Sequence, residues 1–110
     1  MWSSRPDGAE LVMPFDPAHT TQADIIHGGA ISTLVDVAAT AAAWSTIEAV
    51  STPRGATVSL SLQFVAAGRG DLRVRAHLLR RGASLHFLDV TVTDLAETLI
   101  AKALVTYKIG

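Results

Sequence analysis

The chain has 110 residues, near the modal size of one domain, so a single core is expected over residues 1–110. Nine Lys and Arg against ten Asp and Glu give a formal charge of −1, which lacks the cationic excess of phosphate-backbone binding and argues against nucleic acid as a partner. Hydrophobic residues make up 49% and charged residues 17%, the opposite of a disordered chain, and the absence of Cys removes disulfides, thiolate metal sites and cysteine nucleophiles.

Residues 1–7 are polar, carry both Arg5 and Asp7, and lack the pattern of a secretory leader, so a cytoplasmic location is expected. Glu10 to Phe15 is a short apolar run closed by Pro14 and Asp16-Pro17, which predicts an edge strand ending in a turn. Past His27-Gly28-Gly29 comes an Ala-rich apolar run without Gly or Pro until Pro53, which predicts one long helix of about five turns. Asp36 in its middle argues against a membrane span.

The period then becomes two. Val58, Leu60, Leu62 and Phe64 alternate with Thr57, Ser59, Ser61 and Gln63, as in a half-buried strand. Gly68-Arg69-Gly70 and Arg81-Gly82 mark turns on either side of a second alternating strand built on Leu72, Val74, Ala76 and Leu78. Further strands follow over residues 84–94 and 98–109.

These connections are too short for parallel crossovers, so the fold class is α+β, with one long central helix covered by an antiparallel sheet. The outer sheet face, bearing Thr57, Ser59, Ser61, Arg73, Arg75 and Phe87, is left for solvent or a partner. Eighteen Ala residues are too many apolar side chains to bury in one small domain, and the helix is apolar around most of its circumference. A second subunit is expected to cover part of it.

Asp36 is the chemical anomaly of the helix. Ser32 and Thr40, four residues to either side, complete a narrow polar stripe, and a carboxylate among apolar neighbours suits a base or nucleophile. Upstream, the first amides of the helix lie at the positive end of its dipole and suit a carbonyl oxygen that gains negative charge, with Gly28 allowing close approach. Asp36 lies about 12 Å along the axis from Gly28, so the two meet only where two such helices run antiparallel across a dimer axis. His77 and His86 flank one turn, but matching strand faces puts His77 on the polar side and His86 on the apolar side, so no metal site is expected.

The run from His19 through His27-Gly28-Gly29 to Asp36 resembles the signature of hotdog-fold acyl-CoA thioesterases, nearest the phenylacetate-pathway and thioesterase-superfamily-member-2-like branch. The resemblance extends over about residues 10–108. It implies a hotdog fold, hydrolysis of an acyl-CoA with an aryl or medium-chain acyl group, and dimers that pair into tetramers with shared active sites. Asp36 would be the general base or nucleophile, the Gly28 amide would polarise the thioester carbonyl, His27 would help hold it, and Thr57 would orient water. Thr21, Gly29, Thr40, Arg80, Arg81 and Ser84 would contact substrate; coenzyme A is part of the substrate and no separate cofactor is implied.

Three positions depart from the family pattern: Thr21 stands for a common Asn, Asp24 for a common Gly, and no Pro follows Phe64. Asp24 could act as a second carboxylate near the site. The phosphates of coenzyme A call for cations at the pocket mouth, and Arg54, Arg80, Arg81, Lys102 and Lys108 are the candidates. Alternative readings are a non-catalytic acyl-CoA or small-ligand binding protein of the same fold, or an enoyl-CoA hydratase or dehydratase.

Overall fold

A computed structural model of the chain describes residues 2–5, 8–21, 24–45 and 54–109. The described elements are β1 (Trp2–Arg5), β2 (Gly8–Met13), a short 3-10 helix (Pro17–His19), α1 (Gly28–Trp44), β3 (Gly55–Phe64), β4 (Leu72–Arg81), β5 (Leu85–Asp94) and β6 (Leu99–Ile109). The six strands form one antiparallel sheet in the order β1-β2-β4-β5-β6-β3. The expected breaker after the helix lies mostly outside the described residues.

The helix packs on the sheet through Ile31, Leu34, Val35, Ala38, Ala39, Ala42 and Ala43, all buried. These fall at intervals of three and four, so one face meets the sheet, and four small Ala side chains let the backbone approach closely. Leu72, Val74, Leu88, Val90, Val92, Ile100 and Val105 supply the opposing wall of the core. The opposite helix face carries Gly29, Thr33 and the half-exposed Val37.

Three expectations change. The N-terminal apolar run is not an edge strand, because β1, in a segment read as merely polar, pairs with β2 from Trp2 opposite Leu11 to Arg5 opposite Gly8. The described edge on the other side is β3, whose predicted half-burial holds only in its middle: Leu60 and Leu62 are partly buried against the core, whereas Val58 is 57% and Phe64 54% exposed, since β3 has a described neighbour on one side only and lies at the margin of the helix.

The third change concerns faces. The pairing of β3 with β6 slips between Thr57 and Ser59, which leaves Val58 as an extra, bulged residue. Thr57 therefore sits opposite the buried Tyr107 on the helix side of the sheet, not on the outer face with Ser59 and Ser61. A second slip, between Leu78 and Arg80, does the same on β4: Arg80 pairs with the outward Phe87, while Arg81 pairs with the buried His86.

Candidate active site

The chain enters the helix through a loop held at several backbone points. Asp16 caps the short 3-10 helix by accepting the Ala18 N–H at 2.9 Å, the Thr21 N–H donates to the Ile25 carbonyl at 2.9 Å, and the Ile26 N–H donates to the Gly68 carbonyl at 2.8 Å. His27 is extended, with φ −61° and ψ 136°, and its Nδ1 accepts the Gly29 N–H at 3.0 Å, doing as an N-cap what Asp or Ser usually does. With Nδ1 as acceptor, the neutral ring carries its proton on Nε2. Thr33 and Ser32 hydroxyls donate back to the Gly29 and Gly28 carbonyls.

This capping leaves one amide over. Gly29 is taken by His27 Nδ1, and Ala30 and Ile31 donate to the His27 carbonyl, whereas the Gly28 N–H has no acceptor among the described residues. It stands at the positive end of a 17-residue helix, as an oxyanion donor must. A Cβ at position 28 would lie 3.2 Å from Cζ of Phe64, so the aromatic ring occupies the space beside the amide. Gly28, Thr21, Ile31 and Phe64 line a cleft of about 430 Å³. On the other side of the helix N-terminus, His19, His27, Gly29, Thr33, Met13 and Val37 line a mostly apolar cleft of about 530 Å³.

Two turns further along, the bulged strand meets the helix. The Thr57 hydroxyl donates to Asp36 Oδ1 at 2.6 Å, the length of a charge-assisted O–H···O⁻ bond. The bond fixes one carboxylate oxygen and leaves Oδ2 for a proton or an electrophile. Asp36 is half-buried at the edge of the uncovered helix face, and Thr40, also half-buried, follows one turn later. The polar stripe of Ser32, Asp36 and Thr40 thus borders the open side of the helix rather than facing the core.

The remaining predicted residues separate. Arg81 turns inward, donates from Nη1 to the Ala43 carbonyl at 3.2 Å, and lies 3.4 Å from His86 Nδ1, so it serves the C-terminal end of the helix. Arg80 faces outward and is exposed. Ser84 lies in the β4–β5 turn, where its carbonyl accepts the Ile109 N–H at 2.9 Å. His86 is 2% exposed, and burial together with the neighbouring Arg81 charge holds its pKa below the usual imidazole value. His77, exposed, lies on the other sheet face.

Two pairings were not foreseen. Asp24, the suspected second carboxylate, is engaged by Arg69 Nε at 3.1 Å on the β3–β4 connection, which ties that connection to the loop before the helix. On the outer sheet face, Arg73 and Arg75 grip both Glu10 and Glu97; hydrogen bonding from Arg75 is the largest effect holding the Glu97 carboxyl below its usual range. The alternating Arg73 and Arg75 of β4 and the single charge of β2, Glu10, hinted at the Glu10 pairs. Nothing local pointed to Glu97, which reaches back from a turn.

An antiparallel sheet wrapped around one helix, with a helix-start amide and a threonine-held carboxylate along it, defines a hotdog-fold protein of the thioester-hydrolase class. A profile of the thioesterase superfamily matches residues 23–101, and the chain belongs to that superfamily. It is 30% identical to human acyl-coenzyme A thioesterase 13, over 98% of this chain and 77% of that protein. The mouse counterpart is 28% identical, over 84% of this chain and 65% of its own length, so the chain spans somewhat less than two thirds of that relative. Among solved structures, zebrafish thioesterase superfamily member 2 superposes with a TM-score of 0.86 at 29% identity, over 98% and 78% of the two chains. A Streptococcus mutans protein crystallised with acetyl CoA shares the fold, with a TM-score of 0.87 at 23% identity over 98% and 85% of the two chains.

Proposed function

We propose that this protein hydrolyses acyl-CoA thioesters, with aryl or medium-chain acyl groups, to the free acid and coenzyme A. The observation that carries the reading is the 2.6 Å Thr57–Asp36 bond on a helix whose first amide, that of Gly28, has no acceptor among the described residues. In this reading a water gives its proton to Asp36 Oδ2 as its oxygen bonds to the thioester carbonyl carbon. The oxyanion that forms is held by the Gly28 N–H. Its collapse breaks the C–S bond and expels the thiolate, which takes up a proton. The same geometry serves direct attack by Oδ2, with hydrolysis of the resulting anhydride. His27, its Nδ1 engaged by Gly29, offers the Nε2–H edge to the bound thioester. Coenzyme A is part of the substrate, and these groups require no separate cofactor.

Within one helix Asp36 and Gly28 stand about 12 Å apart, too far to act on one carbonyl. The reading therefore includes a homodimer with antiparallel helices, in which Asp36 of one protomer works with Gly28 of its partner. The exposed edge of β3 and the uncovered helix face, both next to Asp36, supply the surface for that pairing. The outer sheet face, with Phe87, Leu104 and Leu79 exposed, could join two such dimers.

Replacing Asp36 with Asn keeps the Thr57 contact geometry but removes the base. The expected outcome is an unchanged fold and oligomer with hydrolysis of phenylacetyl- or octanoyl-CoA reduced on the order of 10³-fold or more. Wild-type turnover in that variant would overturn the mechanism.

A further inference from the structure

The connection between β3 and β4 is seated on the core. Gly68 is buried, and a Cβ there would lie 3.3 Å from Ile100 Cγ2, 3.4 Å from Leu72 Cδ1 and 3.5 Å from Ile31 Cδ1. The Val65 and Ala66 N–H groups both donate to the carbonyl of Ile100, at 2.8 and 3.2 Å, and Ile100 is itself buried. Gly70, at φ 69°, takes the left-handed conformation that glycine adopts without steric cost, and the chain turns there into β4.

From that base three residues reach the segment that runs into the helix. The Asp71 carboxylate accepts the Phe15 N–H at 2.7 Å, at the start of the segment. The Gly68 carbonyl accepts the Ile26 N–H at 2.8 Å, and Ile25 forms an antiparallel bridge with Arg69. Arg69 Nε then donates to Asp24 Oδ1 at 3.1 Å, between two side chains that are each more than half exposed. Asp24 stands where relatives commonly carry Gly, and a chain with Gly there has no such pair. Of the described residues from 20 to 27 only Ile26 is buried, so closure of this loop belongs to the weakly stabilised end of the molecule. An exposed ion pair shifts an equilibrium of that kind by up to about fivefold.

The loop held in this way sets the direction of the Gly28 amide. A peptide unit is planar, so the Gly28 N–H turns with the His27 carbonyl, and a change in ψ at His27 swings both. The Ala30 and Ile31 N–H groups hold that carbonyl from the helix side. From the loop side, His27 is held by its own N–H, which donates to the His19 carbonyl, and by its neighbour Ile26 on Gly68. The Asp24–Arg69 pair adds a side-chain tie four residues before Gly28. We propose that Arg69 is a positioning residue: by gripping Asp24 it keeps the loop closed on the β3–β4 connection, and so keeps the Gly28 amide aimed at the reacting carbonyl. A donor of this kind works only within about 0.5 Å of its productive place, so molecules with the loop open contribute little turnover. The catalytic consequence rests on the acyl-CoA reading above, whereas the clamp on the loop does not.

The test compares the wild type with Arg69→Gln, Arg69→Asp and Arg69→Lys, and with Arg75→Gln as a control that removes a paired cation elsewhere. Amide hydrogen exchange followed by NMR at Ile26 and His27 is expected to quicken about two- to fivefold in Arg69→Gln, and further in Arg69→Asp, where two carboxylates face each other. It should keep the wild-type rate in Arg75→Gln, and added salt should quicken it in the wild type but not in Arg69→Gln. Thioester hydrolysis should lose kcat by a similar factor with KM unchanged and recover in Arg69→Lys. Adding Arg69→Gln to Gly28→Pro, which lacks the amide being positioned, should cause no further loss. Wild-type exchange rates in Arg69→Gln, or a kcat loss that persists in the Gly28→Pro background, overturn the proposal. A wild type that cleaves no thioester while exchange responds as expected overturns the acyl-CoA reading instead and leaves the clamp in place.

Discussion

Gly28→Pro isolates the proposed oxyanion donor. Gly28 is the first helical residue, the position at which proline is best accommodated, and proline there removes a helix-start N–H that has no acceptor among the described residues. Proline also restricts its predecessor to extended backbone, and His27 already has φ −61° and ψ 136°. The steric demand falls on Phe64, 3.2 Å from a Cβ at this position, and its ring, 54% exposed, is free to move outward. The helix and fold should therefore survive, with a thermal midpoint close to that of the wild type.

Loss of one preorganised oxyanion donor costs about 2.7–4 kcal/mol, so kcat should fall on the order of 10²–10³-fold. The assay follows release of free thiol from an acyl-CoA. Mixing unfolded Gly28→Pro and Asp36→Asn chains and refolding them together extends it: a mixed dimer regains one intact site, so about a quarter of wild-type activity should return if two chains build each site. A folded Gly28→Pro protein with wild-type kcat would refute the donor role. Failure of two stable, co-refolded variants to complement would refute the two-chain site.

Thr57→Val keeps the β-branched shape and loses the hydroxyl that holds Asp36 Oδ1; a charge-assisted bond of this kind is worth about 1.5–3 kcal/mol, so kcat should drop roughly 10–100-fold while Thr57→Ser retains most activity. Additional loss when Thr57→Val is placed in the Asp36→Asn background would show that Thr57 acts elsewhere than through Asp36. Burial and Arg81 lower the pKa of His86 in the folded state, so between that value and the unfolded value of about 6.5 the unfolded chain binds more protons. Stability should accordingly fall as pH drops below about 6.5, and thermal melts of His86→Gln should lack that part of the pH slope.

Much of the architecture was legible in the sequence. The change from helical to period-two apolar spacing at about residue 55 located the helix and the strands β3 to β6, because each element has one face to bury and that requirement is written locally. Asp36 stood out because a charge in an Ala-rich helix has few innocuous places to go. The β1–β2 hairpin escaped notice because β1 gains its place from pairing with β2, and one Trp followed by three polar residues carries no pattern of its own.

The site's finer assembly was decided only in three dimensions. One bulge residue, Val58, inverts the alternation of β3 and turns Thr57 from the outer face onto Asp36; another, Leu79, sends Arg80 outward and Arg81 to the end of the helix. A bulge shifts face parity by one residue without altering composition, and its place is set by the register of the neighbouring strand. The same holds for charge. Length and composition established a small, nearly neutral, apolar chain with no cysteine chemistry, whereas the strand order determined that Glu10 on β2 and Glu97 beyond β5 meet Arg73 and Arg75 of β4. Local patterning specifies what each segment buries, and long-range pairing specifies which side chains meet.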